Sequence, residues 1–172
     1  MSGVAALDAL DVLGQEAAVA RLLDACGSRR WAEAMAAARP FGSREALHAA
    51  AGRAFDTLAE ADWLEAFAAH PRIGAGAASG HQSAAGERWS TGEQAGMAAA
   101  AEEERRAFTA GNAAYFDRFG FTFIVCATGR SAAEMRALLE ARLGNARSHE
   151  IAVAAGEQRR ITLLRLDKML AP

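Results

Sequence analysis

The sequence predicts an all-α fold: a single-domain, compact multi-helix bundle over residues 1–172, with one short extended buried segment near 121–127. Three observations carry that expectation. Alanine is abundant while valine, isoleucine and threonine are sparse, so local preference leans towards helix almost throughout. Apolar residues recur at helical spacing in one block after another. A single stretch, Phe119 to Arg130, departs from that pattern: it is aromatic and β-branched, and glycines bound it.

Taken in order, Val19, Leu22, Leu23 and Cys26 form the stripe of a first helix that Gly27 ends. Ser28 caps a short second helix carrying Trp31 and Met35, which stops near Arg39-Pro40 because proline disfavours helix before it. Ser43 caps a third, with Leu47, Ala51, Phe55 and Leu58 on one face. A fourth starts near Glu60 and lines up Trp63, Phe67 and His70. A loop rich in glycine, alanine and serine runs from Ala75 to Trp89. A longer helix follows from Thr91 towards Thr109, its Glu102-to-Arg106 charge run reading as a solvated face. Gly111 and Asn112 restart a short helix with Tyr115, Phe116 and Phe119. Ser131 opens another with Met135, Leu138, Leu139 and Leu143 inside, and the last runs from about Arg147 to Met169.

With 52% hydrophobic and 23% charged residues, the chain is globular rather than disordered. A net charge of −2 predicts no grip on nucleic acid, and no apolar run is long enough to span a bilayer. Met1-Ser2-Gly3-Val4 lacks the start of a signal peptide, and Leu170-Ala171-Pro172 is no peroxisomal address. Cys26 and Cys126 belong to no paired motif; they have the number for one disulfide, but read rather as two buried thiols of a reducing cytoplasm.

Few residues have chemistry to offer. His70, in His70-Pro71-Arg72-Ile73-Gly74, closes the fourth helix among unpaired carbonyls. It is either an acid/base group or a core histidine bonded to a carbonyl. Ser90-x-x-Glu93 has the spacing of a capping box, as does Ser131-x-x-Glu134; only the first copy is followed by a carboxamide, Gln94. Arg165 lies in the row Ile161, Arg165, Met169, which sets a guanidinium on an apolar face, either to meet a carboxylate or amide-rich ring or to pair internally. An unpaired extended segment at 121–127 leaves backbone groups in need of partners, a ligand among the possibilities. The four histidines have no metal-ligand spacing, and no glycine-rich loop offers a seat to a nucleotide.

Together, His70-Pro71-Arg72-Ile73-Gly74, then Ser90-x-x-Glu93-Gln94, then Phe119-Gly120-Phe121-Thr122-Phe123-Ile124-Val125-Cys126, resemble the 2-oxo-4-hydroxy-4-carboxy-5-ureidoimidazoline (OHCU) decarboxylases of the urate-to-allantoin route. Gly27 to Ala32, Arg39-Pro40-Phe41 and the closing helix with Arg165-Leu166 extend the resemblance over nearly the whole chain. The resemblance implies an all-helical fold, usually a homodimer, with no metal or organic cofactor. It implies catalytic roles for His70 and Glu93. It also implies substrate binding by Pro71, Ser90, Gln94, Phe123, Ile124, Val125, Cys126 and Arg165. Thr122 stands where the family often has proline, which leaves the segment less stiff. A different reading of the same residues is a non-catalytic helical module that binds a ureide or purine breakdown product.

Overall fold

The computed structural model describes residues 3–71 and 102–171. Among them are eight helices and no strand: α1 (Gly3–Asp11), α2 (Gln15–Leu23), α3 (Arg29–Ala37), α4 (Arg44–Phe55), α5 (Glu60–Ala68), α6 (Glu102–Phe119), α7 (Ala132–Arg142) and α8 (Arg147–Leu170). The chain divides into two units, one of residues 1–66 with 159–172, the other of residues 67–158.

In the first unit, α1 was not anticipated from sequence. Its Leu7 and Leu10 are buried, and its end is tied down by side chains from far along the chain. Arg39 donates to the carbonyls of Leu10 at 2.9 Å and Leu13 at 2.6 Å, at the end of the helix where carbonyls lack the full set of intrahelical partners. In return the Asp11 carboxylate accepts the N–H groups of Phe41 at 3.0 Å and Gly42 at 3.1 Å. The next helix, α2, ends at Leu23 rather than at Gly27. Ser28 must be extended to cap α3, so the chain unwinds a few residues earlier, and Cys26 is buried from outside the helix.

The predicted serine caps are present. Ser28 accepts the Trp31 N–H at 3.3 Å and Ser43 that of Ala46 at 3.1 Å. Trp31 stacks on Phe55 with centroids 5.4 Å apart, and Phe55 on Trp63 at 5.6 Å. The Arg159 guanidinium lies over both Phe55 and Trp63 while bonding Asp56, so its charge is used on two sides.

In the second unit, α6 runs unbroken through Gly111 and Asn112, where a restart was expected. Two contacts explain the continuity. A Cβ on Gly111 would lie 2.7 Å from Leu139 Cδ2, so the glycine serves close approach of α7 rather than a turn. Asn112 donates its amide to the Phe108 carbonyl one turn back, at 3.0 Å, which lets it sit inside a helix. The true stop is Gly120, at φ +79°, whose N–H closes on Phe116 O. Ser131 and Glu134 form the expected capping box of α7.

Residues 122–127 are neither helix nor strand, and Phe121 to Val125 are all buried. Phe121 and Phe123 pack on Tyr115 at 5.6 and 5.2 Å, and Phe67 meets Phe121 at 5.1 Å. Beneath them is a buried polar network that sequence did not reveal. Arg142 donates to Glu150 at 2.7 Å and to the Ile124 carbonyl at 2.7 Å, with its guanidinium 4.6 Å from the Phe123 ring. Glu150, fully buried, also accepts the Tyr115 hydroxyl and, at 2.6 Å, the Asn145 amide. Burial, then the bond to Glu150, pushes the Tyr115 hydroxyl well above its ordinary range.

Candidate functional site

His70 lies two residues beyond the end of α5, which stops at Ala68. Its own N–H bonds Phe67 O at 3.1 Å, so the residue turns off the helix just ahead of Pro71, as proline requires. Both His70 and Pro71 are half-buried. The imidazole Nε2 is 2.7 Å from the Oε1 of Gln158, a carboxamide with 0% exposure. Sequence reasoning missed this partner. A signal existed, because Gln158 stands three residues before Ile161 and four after Ala154, on the same buried stripe that drew attention to Arg165.

Its neighbour Glu157 was also missed. The Glu157 carboxylate accepts the Cys126 N–H at 2.7 Å and is 4.0 Å from Arg130, whose Nε bonds Cys126 O at 3.1 Å. Three of the backbone groups in the 123–126 segment therefore already have protein partners: Cys126 N–H, Cys126 C=O and, through Arg142, Ile124 C=O. Because a trans peptide directs its C=O and the following N–H oppositely, these anchors turn the Val125 N–H away from Arg142 and the Val125 carbonyl away from Glu157. Cys126 is half-buried and Cys26 fully so; both are free thiols.

The second unit thus brings together His70, Pro71, Gln158, Glu157 and the segment Phe123, Ile124, Val125 and Cys126. Arg165 belongs to the first unit, at 0% exposure, and donates to Asp24 O at 3.4 Å. It also lies near the Cys26 thiol. Ser90, Glu93 and Gln94 lie outside the described residues. No described helix is long and apolar enough to cross a membrane.

Over its described residues, this is an all-helical protein whose second unit sets a half-buried imidazole against a buried carboxamide and whose first unit holds a buried guanidinium. The model of the OHCU decarboxylase family matches residues 11–167, and the chain belongs to that family. It is 36% identical over 146 residues to the uric acid degradation bifunctional protein TTL of Arabidopsis thaliana. That match covers 85% of this chain but 45% of the plant protein, so the chain spans less than half of that relative. It is 30% identical to the 2-oxo-4-hydroxy-4-carboxy-5-ureidoimidazoline decarboxylase of Amia calva, covering 81% of this chain and 79% of that one. A crystal structure of an OHCU decarboxylase in the presence of (S)-allantoin superposes with a TM-score of 0.76 at 31% identity, covering 89% of this chain and 99% of the other.

Proposed function

We propose that this chain decarboxylates 2-oxo-4-hydroxy-4-carboxy-5-ureidoimidazoline to (S)-allantoin without an organic cofactor. The observation that carries the reading is a half-buried imidazole held at 2.7 Å by a buried carboxamide, at the His-Pro turn of a chain that belongs to this family.

The chemistry asks little beyond protons and placement. The carbon that loses CO2 bears a hydroxyl and stands beside a ring C=N. The electron pair of the breaking C–C bond forms a double bond to the neighbouring carbon and displaces the C=N pair onto the ring nitrogen, which takes a proton; the resulting enol then gives up its hydroxyl proton as that carbon gains one, leaving a carbonyl. His70 is the group assigned to proton transfer, with Glu93 steadying it. Backbone groups of the segment Phe123, Ile124, Val125 and Cys126 hold the ureido or ring amides in this reading. Pro71, Ser90, Gln94 and Arg165 complete the proposed substrate contacts on the strength of the sequence resemblance. The match over residues 11–167 supports reading the chain as one functional domain. A cytoplasmic homodimer is part of the same proposal.

The test is turnover of freshly made substrate, followed by optical activity, since uncatalysed decay gives a racemate. Wild-type protein is expected to produce (S)-allantoin. His70→Ala should lose roughly 10²–10⁴-fold in rate. A racemic product, or near-normal turnover by His70→Ala, overturns the assignment.

A further inference from the structure

We propose that Gln158 is the positioning residue of His70: its carboxamide oxygen holds the neutral imidazole as the Nε2–H tautomer, which makes Nδ1 the nitrogen that takes up and returns a proton. This rests on the decarboxylase reading for its consequence, though not for its geometry.

The argument begins with donor and acceptor capacity. A carboxamide oxygen has lone pairs and no hydrogen, so an imidazole nitrogen 2.7 Å from it must carry one. A neutral imidazole carries a single ring proton, and with that proton on Nε2 the basic lone pair is on Nδ1. Gln158 is suited to impose this choice because it has little freedom. It is fully buried well inside α8, and the adjacent Glu157 is pinned by the Cys126 N–H at 2.7 Å, which opposes rotation of the helix there.

The chemical type of the partner matters as well. When Nδ1 gains a proton the ring becomes imidazolium, and Nε2–H still points at the same oxygen. An acceptor-only partner keeps its bond in both protonation states, and the bond strengthens with the charge. The ring therefore stays oriented through a proton-transfer cycle. A carboxylate at this position would also orient the ring, but would favour the charged form and discourage its return to a neutral base.

The experiment combines imidazole NMR with kinetics on full-length protein. Nitrogen-15-labelled wild-type protein is recorded where the ring is neutral, with His70 resonances identified by their loss in His70→Gln. The expected result is a solvent-protected Nε2–H resonance that disappears in Gln158→Met and persists in Gln158→Glu, which keeps the acceptor. In Gln158→Met, kcat should fall about tenfold or more with KM within about twofold, as expected of a misaligned acid/base group. An Nδ1–H resonance, or no protected Nε2–H at all in wild type, overturns the proposal. So does a loss of the resonance without a change in kcat, or a fall in kcat with the resonance intact. If wild type makes no allantoin, the decarboxylase reading fails while the NMR arm still decides the tautomer.

Discussion

Arg142 provides a sharp test of how the second unit is held together. Its guanidinium faces the fully buried Glu150 at 2.7 Å and the Ile124 carbonyl at 2.7 Å, and its side chain is 8% exposed. Replacing it with methionine keeps the apolar stem but strands a carboxylate in the interior. Removing one partner of a buried pair costs about 3–5 kcal/mol, mostly because the remaining charge is uncompensated. The Tyr115 hydroxyl and the Asn145 amide still reach Glu150, so the lower half of that range, about 3 kcal/mol, is expected. Adding Glu150→Gln removes the charge yet preserves an acceptor for both donors. The double variant Arg142→Met/Glu150→Gln should therefore recover about 1–2 kcal/mol relative to Arg142→Met alone. Urea unfolding of wild type, Arg142→Met, Glu150→Gln and the double variant, with constant m-values, measures this directly. A double variant no more stable than Arg142→Met would refute the idea that buried charge is the source of the loss. Activity should fall in Arg142→Met beyond the stability loss, because Ile124 and Val125 lose an anchor that sets their peptide plane.

Four further substitutions bear on stability. Gly111→Ala should destabilise by about 1 kcal/mol, since overpacking against the buried Leu139 exceeds the gain in helix propensity. Gly52→Ala, in α4 with nothing within 4 Å of its added Cβ, should stabilise by about 0.5–1 kcal/mol, and equal effects from the two would refute the packing argument. Burial pushes the Cys26 thiol from 9.0 up to about 11, against bonds from Ser28 and Thr162. Below 9.0 its contribution is complete, and it is lost as pH rises through about 11 because the unfolded chain deprotonates first. That loss amounts to about 2–3 kcal/mol, and Cys26→Ala should flatten the alkaline limb of stability against pH; an unchanged slope would count against it. For Asp167, burial raises the carboxyl, but hydrogen bonds from Arg44 and His48 outweigh it and hold the group below its usual range. Its contribution is present above about pH 4 and fades as pH falls through the folded value, so Asp167→Asn should lessen the acid sensitivity of unfolding. At neutral pH the same change should cost under about 1 kcal/mol because Arg44 is 58% exposed; a larger loss would mean the cluster is more than a surface pair.

Local chemistry determined much of this protein from sequence alone. Serines 28, 43 and 131 cap helices because a hydroxyl serves the N–H groups three residues on, whatever the rest of the chain does. The stretch from Phe119 to Arg130 stood out because its composition is unlike its surroundings, and beyond Phe119 it is indeed not helical; His70-Pro71 marked a helix end through proline sterics. What the sequence left open depended on neighbours distant along the chain. Gly111 looked like a helix breaker until α7 packed against it. Nothing in the spacing of Arg142 and Glu150 pairs them, because only the folded chain brings a buried charge to its partner. The pairing of His70 with Gln158 joins residues 88 apart, and no local spacing encodes it. Short-range sterics and hydrogen bonding write the elements; which polar groups are taken out of water together, and so which can act on one another, is decided only when those elements pack.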